Sequence, residues 1–401
     1  MKKTFFFLLI SLIFSSCFMS KNIRLAKKGN VKQSNFNKEF DFEYYNDLII
    51  VEVIIDGKKL HFIFDTGAFL SVIDEKVLGG LQTEVMSKSK ARSSSGKAEK
   101  KPIISIDEME IGGVKFQNTS AIVVDFSGIQ GAFGCHQVDG LIGNNLMRKA
   151  NWQIDYQKKI IKVTDQISNL EVSEKAYSFN LGRRKWGNTA LPVKINGLTR
   201  NFTFDTGFSG FLRSNLKYRN KLINNGLDSS SVSVQGELGF DLYGRYKAVS
   251  HRVMVPTIGI DKIKLDNKIV QFKGSGSSLL GNGFYENYLL TLDWDEHQLY
   301  LDAVKQVDAD SLNVFQLQIV PNYKTNQLQV SGTWVEHPLE KPIASGTQIL
   351  KVNKHNLSNL SKDELCQFWD ETWIHLKKRE TIEIETKQGK VTLTKKLLLV
   401  K

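Results

Sequence analysis

Asp65 and Asp205 each open an Asp-Thr-Gly triplet, and each triplet ends a Phe-x-Phe run: Phe62-Ile63-Phe64-Asp65-Thr66-Gly67 and Phe202-Thr203-Phe204-Asp205-Thr206-Gly207. At strand period such a run puts both rings on one face and delivers the carboxylate at the strand end. Two carboxylates brought to about 3 Å cannot both ionise, so they share one proton near neutrality. The ionised member can then take a proton from a water attacking a carbonyl carbon. The protonated member can stabilise the developing oxyanion and later protonate a leaving amine. This chemistry needs no metal, cofactor or covalent intermediate. The chain has no His-Glu-x-x-His, no Gly-x-Ser-x-Gly and no Cys/His ligand cluster that would point elsewhere.

The two aspartates sit in a repeated frame. Ile54-Ile55-Asp56-Gly57 precedes the first triplet and Val193-Lys194-Ile195-Asn196-Gly197 the second, with eight residues from turn glycine to Asp in both. Leu141-Ile142-Gly143-Asn144 matches Leu279-Leu280-Gly281-Asn282; Asp65 to Gly143 is 78 residues, and Asp205 to Gly281 is 76. Twelve residues past each Gly stands another Asp, Asp155 and Asp293, read as structural turn or strand-end residues. Four landmarks in register mark a duplicated unit. Short runs of Val, Ile, Phe and Thr punctuated by Asp-Gly, Asn-Gly and Gly-Gly make each unit mainly β. Asp56-Gly57 and Asn196-Gly197 suit tight hairpin turns. Short helices are expected around Asp74 to Leu78 and Ser361 to Asp370, the latter opened by a Ser361/Glu364 capping box.

Paired Asp-Thr-Gly triplets followed by hydrophobic-hydrophobic-Gly motifs resemble the pepsin/retropepsin clan of aspartic peptidases, over roughly residues 41–305. The resemblance implies a bilobal acid-protease fold of two related β-barrel-like lobes, with Asp65 and Asp205 as the catalytic dyad. It further implies that Thr66 and Thr206 interlock the two loops, that Gly67 and Gly207 allow close backbone approach, and that the strands ending at Gly143 and Gly281 support them. One departure matters. Where pepsin-like enzymes carry a Ser or Thr after the triplet, this chain has Ala68 and Phe208. Loss of a donor to the charged form raises carboxylate pKa values, so the expected optimum is nearer about pH 5–7 than strong acid. Flap segments are expected at Ser87 to Lys101, around Ser93-Ser94-Ser95-Gly96, and at Val234 to Val249, where Tyr243 and Tyr246 could cover a peptide.

Residues 310–401 form a third segment without an Asp-Thr-Gly. Gly346-Thr347-Gln348-Ile349-Leu350-Lys351-Val352-Asn353, followed by a short loop and helix, resembles a PDZ domain and implies a small α+β fold. The usual Gly-Leu-Gly-Phe-like carboxylate-binding loop of that family is not evident. The amino terminus reads as an export signal: Lys2 and Lys3, an apolar run from Phe5 to Phe14, then Ser15-Ser16-Cys17. Ten residues span about half of a bilayer's hydrocarbon core. The order resembles the lipobox of bacterial lipoproteins, which implies lipidation at Cys17; a signal cleaved nearby, with Cys17 incidental, and an uncleaved anchor are the other readings. The division expected is a signal peptide at 1–16, a linker at 17–40, lobes at 41–170 and 171–307, and the PDZ-like domain at 310–401.

The formal charge is +12, or +10 without Lys2 and Lys3. Its one cluster, Lys88 to Lys101, carries no interleaved aromatic residue, so a nucleic-acid partner is not expected. Cys135 and Cys366 are read as isolated buried thiols, and Cys135-His136 as a structural loop pair. Together these features suggest an exported aspartic endopeptidase acting on extended polypeptides, held at the cell envelope by its lipid and monomeric because one chain carries both lobes. The rival is a lipoprotein that binds peptides in the same cleft without turnover, a reading that the bulk of Phe208 sustains.

Overall fold

In the computed structural model the described residues are 23–93, 96–130, 133–181, 189–228, 230–274 and 276–399. The expected signal peptide, Cys17, and the flap residues Ser94 and Ser95 lie outside them. The chain is mainly β, and the duplication read from the landmarks recurs in strand order. In the first unit Leu48–Ile55, Lys58–Phe64, Gly140–Ile142, Ser71–Asp74, Val114–Val124 and Ala98–Ile111 pair in succession around a ring. Only Val53↔Ile111 and Ile54↔Glu110 close it, so the barrel is incomplete. The second unit repeats the order with Ala190–Ile195, Leu198–Phe204, Leu279–Leu280, Leu212–Ser214, Ile263–Lys273 and Gly244–Ile260. Its closure is equally short, at Lys194↔Gly259 and Ile195↔Ile258. The first hairpin of each ring turns on residues at positive φ, Asp56 and Gly57 (50° and 77°) and Asn196 and Gly197 (45° and 80°), as a two-residue turn of matching twist requires.

A six-stranded antiparallel sheet joins the units, in the order Tyr177–Asn180, Gln298–Ala303, Tyr288–Asp293, Asn151–Asp155, Ile160–Thr164, Asn37–Asp41. Each unit supplies three strands, and the seam runs from Trp152↔Leu292 to Asp155↔Leu289. Trp152 is fully buried there. Its indole donates to Met147 O at 2.7 Å, its ring stacks on Phe116, and Phe64 meets it edge-on. That side chain therefore ties the seam to the strand that delivers Asp65. Asp155 accepts from the backbone N–H groups of Gln157 and Lys158, and Asp293 from that of Glu296, so both shape turns. The stretch 17–40, expected as linker, contains the strand Asn30–Val31 and all but the last residue of the strand Asn37–Asp41. Asn30–Val31 pairs with the first ring, and Asn37–Asp41 forms an edge of the central sheet. Both are edge strands of mostly polar residues, which leave no alternating apolar pattern to read.

The third segment is joined to both units. Its strand Gln327–Trp334 pairs with Val232–Asp241 of the second unit at Val234↔Trp334 and Gly236↔Gly332. Among its remaining elements, His355–Asn356, Lys351–Val352, Thr381–Thr386 and Gly389–Thr394 form a four-stranded sheet. The helix Lys362–Gln367 starts at Ser361 with the expected capping box. Cys135 and Cys366, expected as separate thiols, are a disulfide with their Cα atoms 5.4 Å apart. The expectation failed because 231 residues separate them in the chain, and only docking of the third segment on the first unit brings them together. Around the bond, His136 pairs with Glu43, and Tyr45 donates to Asp370 at 3.1 Å. Gly134 lies so close to Tyr323 that a Cβ would fall 2.0 Å from its ring.

A cross-link closing so long a loop stabilises mainly by restricting the unfolded chain. Cys366→Ser should lower the unfolding free energy by about 2–5 kcal/mol in a denaturant melt without reductant. A non-reduced peptide map should contain the Cys135–Cys366 pair; free thiols at both positions would contradict the assignment.

Candidate active site

Lys58–Phe64 and Leu198–Phe204 each run into their triplet beside the strand that ends at Gly143 or Gly281. The Asp65 N–H donates to Ile142 O at 3.0 Å and the Asp205 N–H to Leu280 O at 3.0 Å, so each aspartate is held by its own unit's supporting strand. The expected site residues Asp65, Asp205, Thr66, Thr206, Gly67, Gly207, Gly143 and Gly281 meet at one place, where the units touch.

Threonines make the join. Thr66 Oγ1 donates to Phe204 O at 3.0 Å and accepts from the Thr206 N–H at 3.0 Å. Thr206 Oγ1 returns both bonds, donating to Phe64 O at 2.6 Å and accepting from the Thr66 N–H at 3.1 Å. Both side chains are fully buried. Glycine at the next position is a matter of space: a Cβ on Gly67 would lie 2.5 Å from the Asp205 carboxyl carbon, and one on Gly207 2.4 Å from that of Asp65. Gly143 and Gly281 are equally confined: a Cβ on the first would lie 2.6 Å from Leu70 C, and one on the second 2.1 Å from Phe208 O.

Two asparagines complete the frame, and in the sequence they stand out only as part of the repeat. Asn144 Nδ2 donates to Thr66 O at 2.6 Å and Asn282 Nδ2 to Thr206 O at 2.8 Å. Their recurrence directly after each supporting glycine was the signal available for them. A buried carbonyl without a partner is costly, and each amide supplies one directly behind a triplet.

The two carboxyls lie close enough to act on each other's ionisation. Burial is the main force on Asp65, raising it to about 6 against the opposing N–H groups of Gly67 and Ala68, which donate to its Oδ1 at 2.8 and 3.0 Å. Burial also dominates at Asp205, followed by the neighbouring Asp65 charge, and its pKa is pushed well up despite the Arg213 guanidinium and the Gly207 N–H. The pair therefore holds one proton across a wide span of pH. Ala68 contributes its backbone N–H in place of a side-chain hydroxyl. Phe208 faces Arg213, whose guanidinium carbon lies 5.0 Å from the ring centre.

Both expected flap segments are β-hairpins, Thr83–Arg92 with Ala98–Ile111 and Val232–Asp241 with Gly244–Ile260. Their tips meet. Tyr243 donates its hydroxyl to Ala91 O at 2.7 Å, and the Lys97 ammonium lies 4.7 Å above the Tyr243 ring.

Raised carboxyl pKa values mean that the fold favours the protonated form. The stability they contribute is present below the unfolded value near 4 and lost as pH rises through the folded value of about 6. Asp65→Asn keeps the acceptor for Gly67 and Ala68 and cannot ionise. At pH 8 it should be more stable than wild type by on the order of 2 kcal/mol, with the difference gone by about pH 4. Thermal melts across that range test the sign.

Residues 51–146 match the family model described as aspartyl protease. No curated protein matches the chain. The matched stretch begins within the strand Leu48–Ile55, takes in Asp65 and Gly143, and ends within the helix Asn144–Met147. The chain thus carries an aspartyl-protease-family domain over part of its length, and that part is the first of its two repeated units.

Proposed function

We propose that this protein is an exported aspartic endopeptidase whose dyad is Asp65 and Asp205. The reciprocal threonine bonding carries the reading. It holds two strand-end carboxyls against each other in buried surroundings, and the glycines leave no room for anything between the triplets and the facing carboxyl. The reading takes Asp205 as the protonated member and Asp65 as the ionised one, since Asp65 receives two N–H donors and Asp205 the greater upward shift.

In this mechanism a water between the carboxyls gives a proton to Asp65 as its oxygen attacks the scissile carbonyl carbon. Asp205 donates to the carbonyl oxygen as negative charge develops there. Collapse of the tetrahedral intermediate breaks the C–N bond, the amine leaves with a proton from Asp65, and the product acid returns one to Asp205. The two hairpins form the roof over an extended substrate, and entry requires parting of Tyr243 from Ala91. Export is supported by the Cys135–Cys366 bond, because disulfides persist in oxidising compartments. Lipidation at Cys17, monomeric action, and a PDZ-like fold for residues 310–401 belong to the same proposal.

Digestion of a mixed peptide library should show cleavage by wild type and a loss of at least about a thousandfold in both Asp65→Asn and Asp205→Asn. Cleavage that survives in either variant would remove that residue from the dyad. The kcat/KM profile should rise through an acid limb near pH 6, where Asp65 ionises, and fall at higher pH when Asp205 loses its proton. An enzyme most active at pH 3 would contradict this assignment.

A further inference from the structure

The duplication allows each position of one ring to be compared with its twin. In the first unit Val72 lies beside Leu141 on one side and Ile122 on the other, and Ile122 beside Ile103. In the second unit the same pairings read Arg213 beside Leu279 and Gln271, and Gln271 beside Arg252. Two residues along the same strand, Val124 is replaced by Lys273. The first set belongs to a buried apolar cluster against which Leu242 and Tyr243 of the opposing hairpin pack. One apolar layer beside the dyad has thus become, in its twin, a layer of three cations.

Arg213 and Lys273 are enclosed and Arg252 beside them is half-buried, without matching anions. Arg213 is 5 % exposed and Lys273 8 %. Among the described residues no carboxylate lies within ion-pair distance of Arg213, Arg252 or Lys273. Arg252 is held by neutral groups: its Nη1 donates to Ser250 Oγ at 2.6 Å, and a half-turn of the neighbouring Gln271 amide would set its oxygen 2.8 and 3.1 Å from Nη1 and Nη2. Arg213 rests on Phe208, three residues past Asp205, and the Lys273 ammonium lies 5.2 Å from the ring of Tyr246 in the hairpin. The carboxylates whose charge reaches Arg213 are Asp205 and Asp241. Asp241 spends one oxygen on the Tyr243 N–H at 2.9 Å, and its other oxygen is buried with no partner. Burial foremost, then Arg213 and Arg252, holds Lys273 down to about 7, against the Asp241 charge.

Burying unpaired charge is expensive, and an apolar layer at these positions is available to the fold, as the first unit demonstrates. We propose that Arg213, Lys273 and Arg252 form a substrate subsite for a carboxylate lying close to the scissile bond, from either an acidic side chain or a peptide C-terminus. This rests on the peptidase reading of the dyad. The hairpin carrying Tyr246 covers the layer, so parting of the hairpins for an extended peptide opens it. A guanidinium and an ammonium on one wall then present the fork and point charge that bind a carboxylate. The opposing wall, built on Val72, Ile122 and Ile103, selects an apolar group on the other side of the same bond.

The test is a cleavage-site profile of the full chain on a peptide library synthesised with both free and amidated C-termini. Wild type should favour Glu or Asp over Gln or Asn at one fixed position near the cut by about tenfold or more. Alternatively it should favour free over amidated ends by that factor, which assigns the subsite to the terminal carboxylate. The ratio should collapse towards one in Arg213→Leu and in Lys273→Met. Cleavage indifferent to both kinds of carboxylate in wild type would overturn the proposal without needing any variant to fold. So would a preference that persists in both variants when melts show them folded. Absence of any cleavage by wild type would instead strike the peptidase reading, and the subsite with it.

Discussion

Everything near the dyad depends on four hydrogen bonds between two threonines and the backbone of the facing unit. Each hydroxyl is at once donor and acceptor, so neither loop can shift without leaving a buried N–H and a buried carbonyl unpaired. The cost of such orphans, about 1–3 kcal/mol each, makes the arrangement close to all-or-none. The carboxyls gain their proximity from this constraint. Left alone, two buried acids would move apart or admit water. Here the Phe64 and Phe204 carbonyls are committed to the opposite threonines, the triplet carbonyls to Asn144 and Asn282, and the strands behind them to the seam around Trp152.

Much of this was legible in the sequence because it is written twice. A single Asp-Thr-Gly is an ordinary turn, but spacings of 78 and 76 residues to matching glycines require two copies of one topology, and the ring orders agree strand for strand. The hairpins carrying Tyr243 and Gly96 were expected from the family resemblance, which places flap segments between each triplet and its supporting glycine. Long-range chemistry was not. Cys135 finds Cys366 only through tertiary docking, and no local pattern encodes a contact across 231 residues. The pairing of Val234 with Trp334 was hidden for the same reason. Arg213 was invisible for a subtler one: one Arg in Phe211-Leu212-Arg213-Ser214 looks like an outward strand residue until the sheet register sets it opposite Leu279 and Gln271.

The third segment acts on the second hairpin as well as beside it. Pairing of Gln327–Trp334 along Val232–Asp241 gives that hairpin a further strand, and the disulfide fixes the same segment to the first unit. Hairpin, third segment and first unit therefore form a mechanical loop. Movement of the hairpin away from Ala91 has to be taken up between Trp334 and the tip, where Gly236 at φ 139° and the register shift between Gly236 and Gly239 interrupt the ladder.

The two carboxyls are made unequal by their surroundings and not by their triplets, which are identical. Asp65 has two N–H groups on one oxygen and an apolar wall behind it; Asp205 has one N–H and a layer of cations. Positive charge near Asp205 lowers its pKa, yet burial and the Asp65 charge outweigh it, which is why the proposed reading places the shared proton there. A carboxylate bound in the cationic layer would cancel part of that opposing charge. Its arrival should then strengthen the hold of Asp205 on its proton, so that on the proposed peptidase reading recognition is coupled to the protonation state that the chemistry requires.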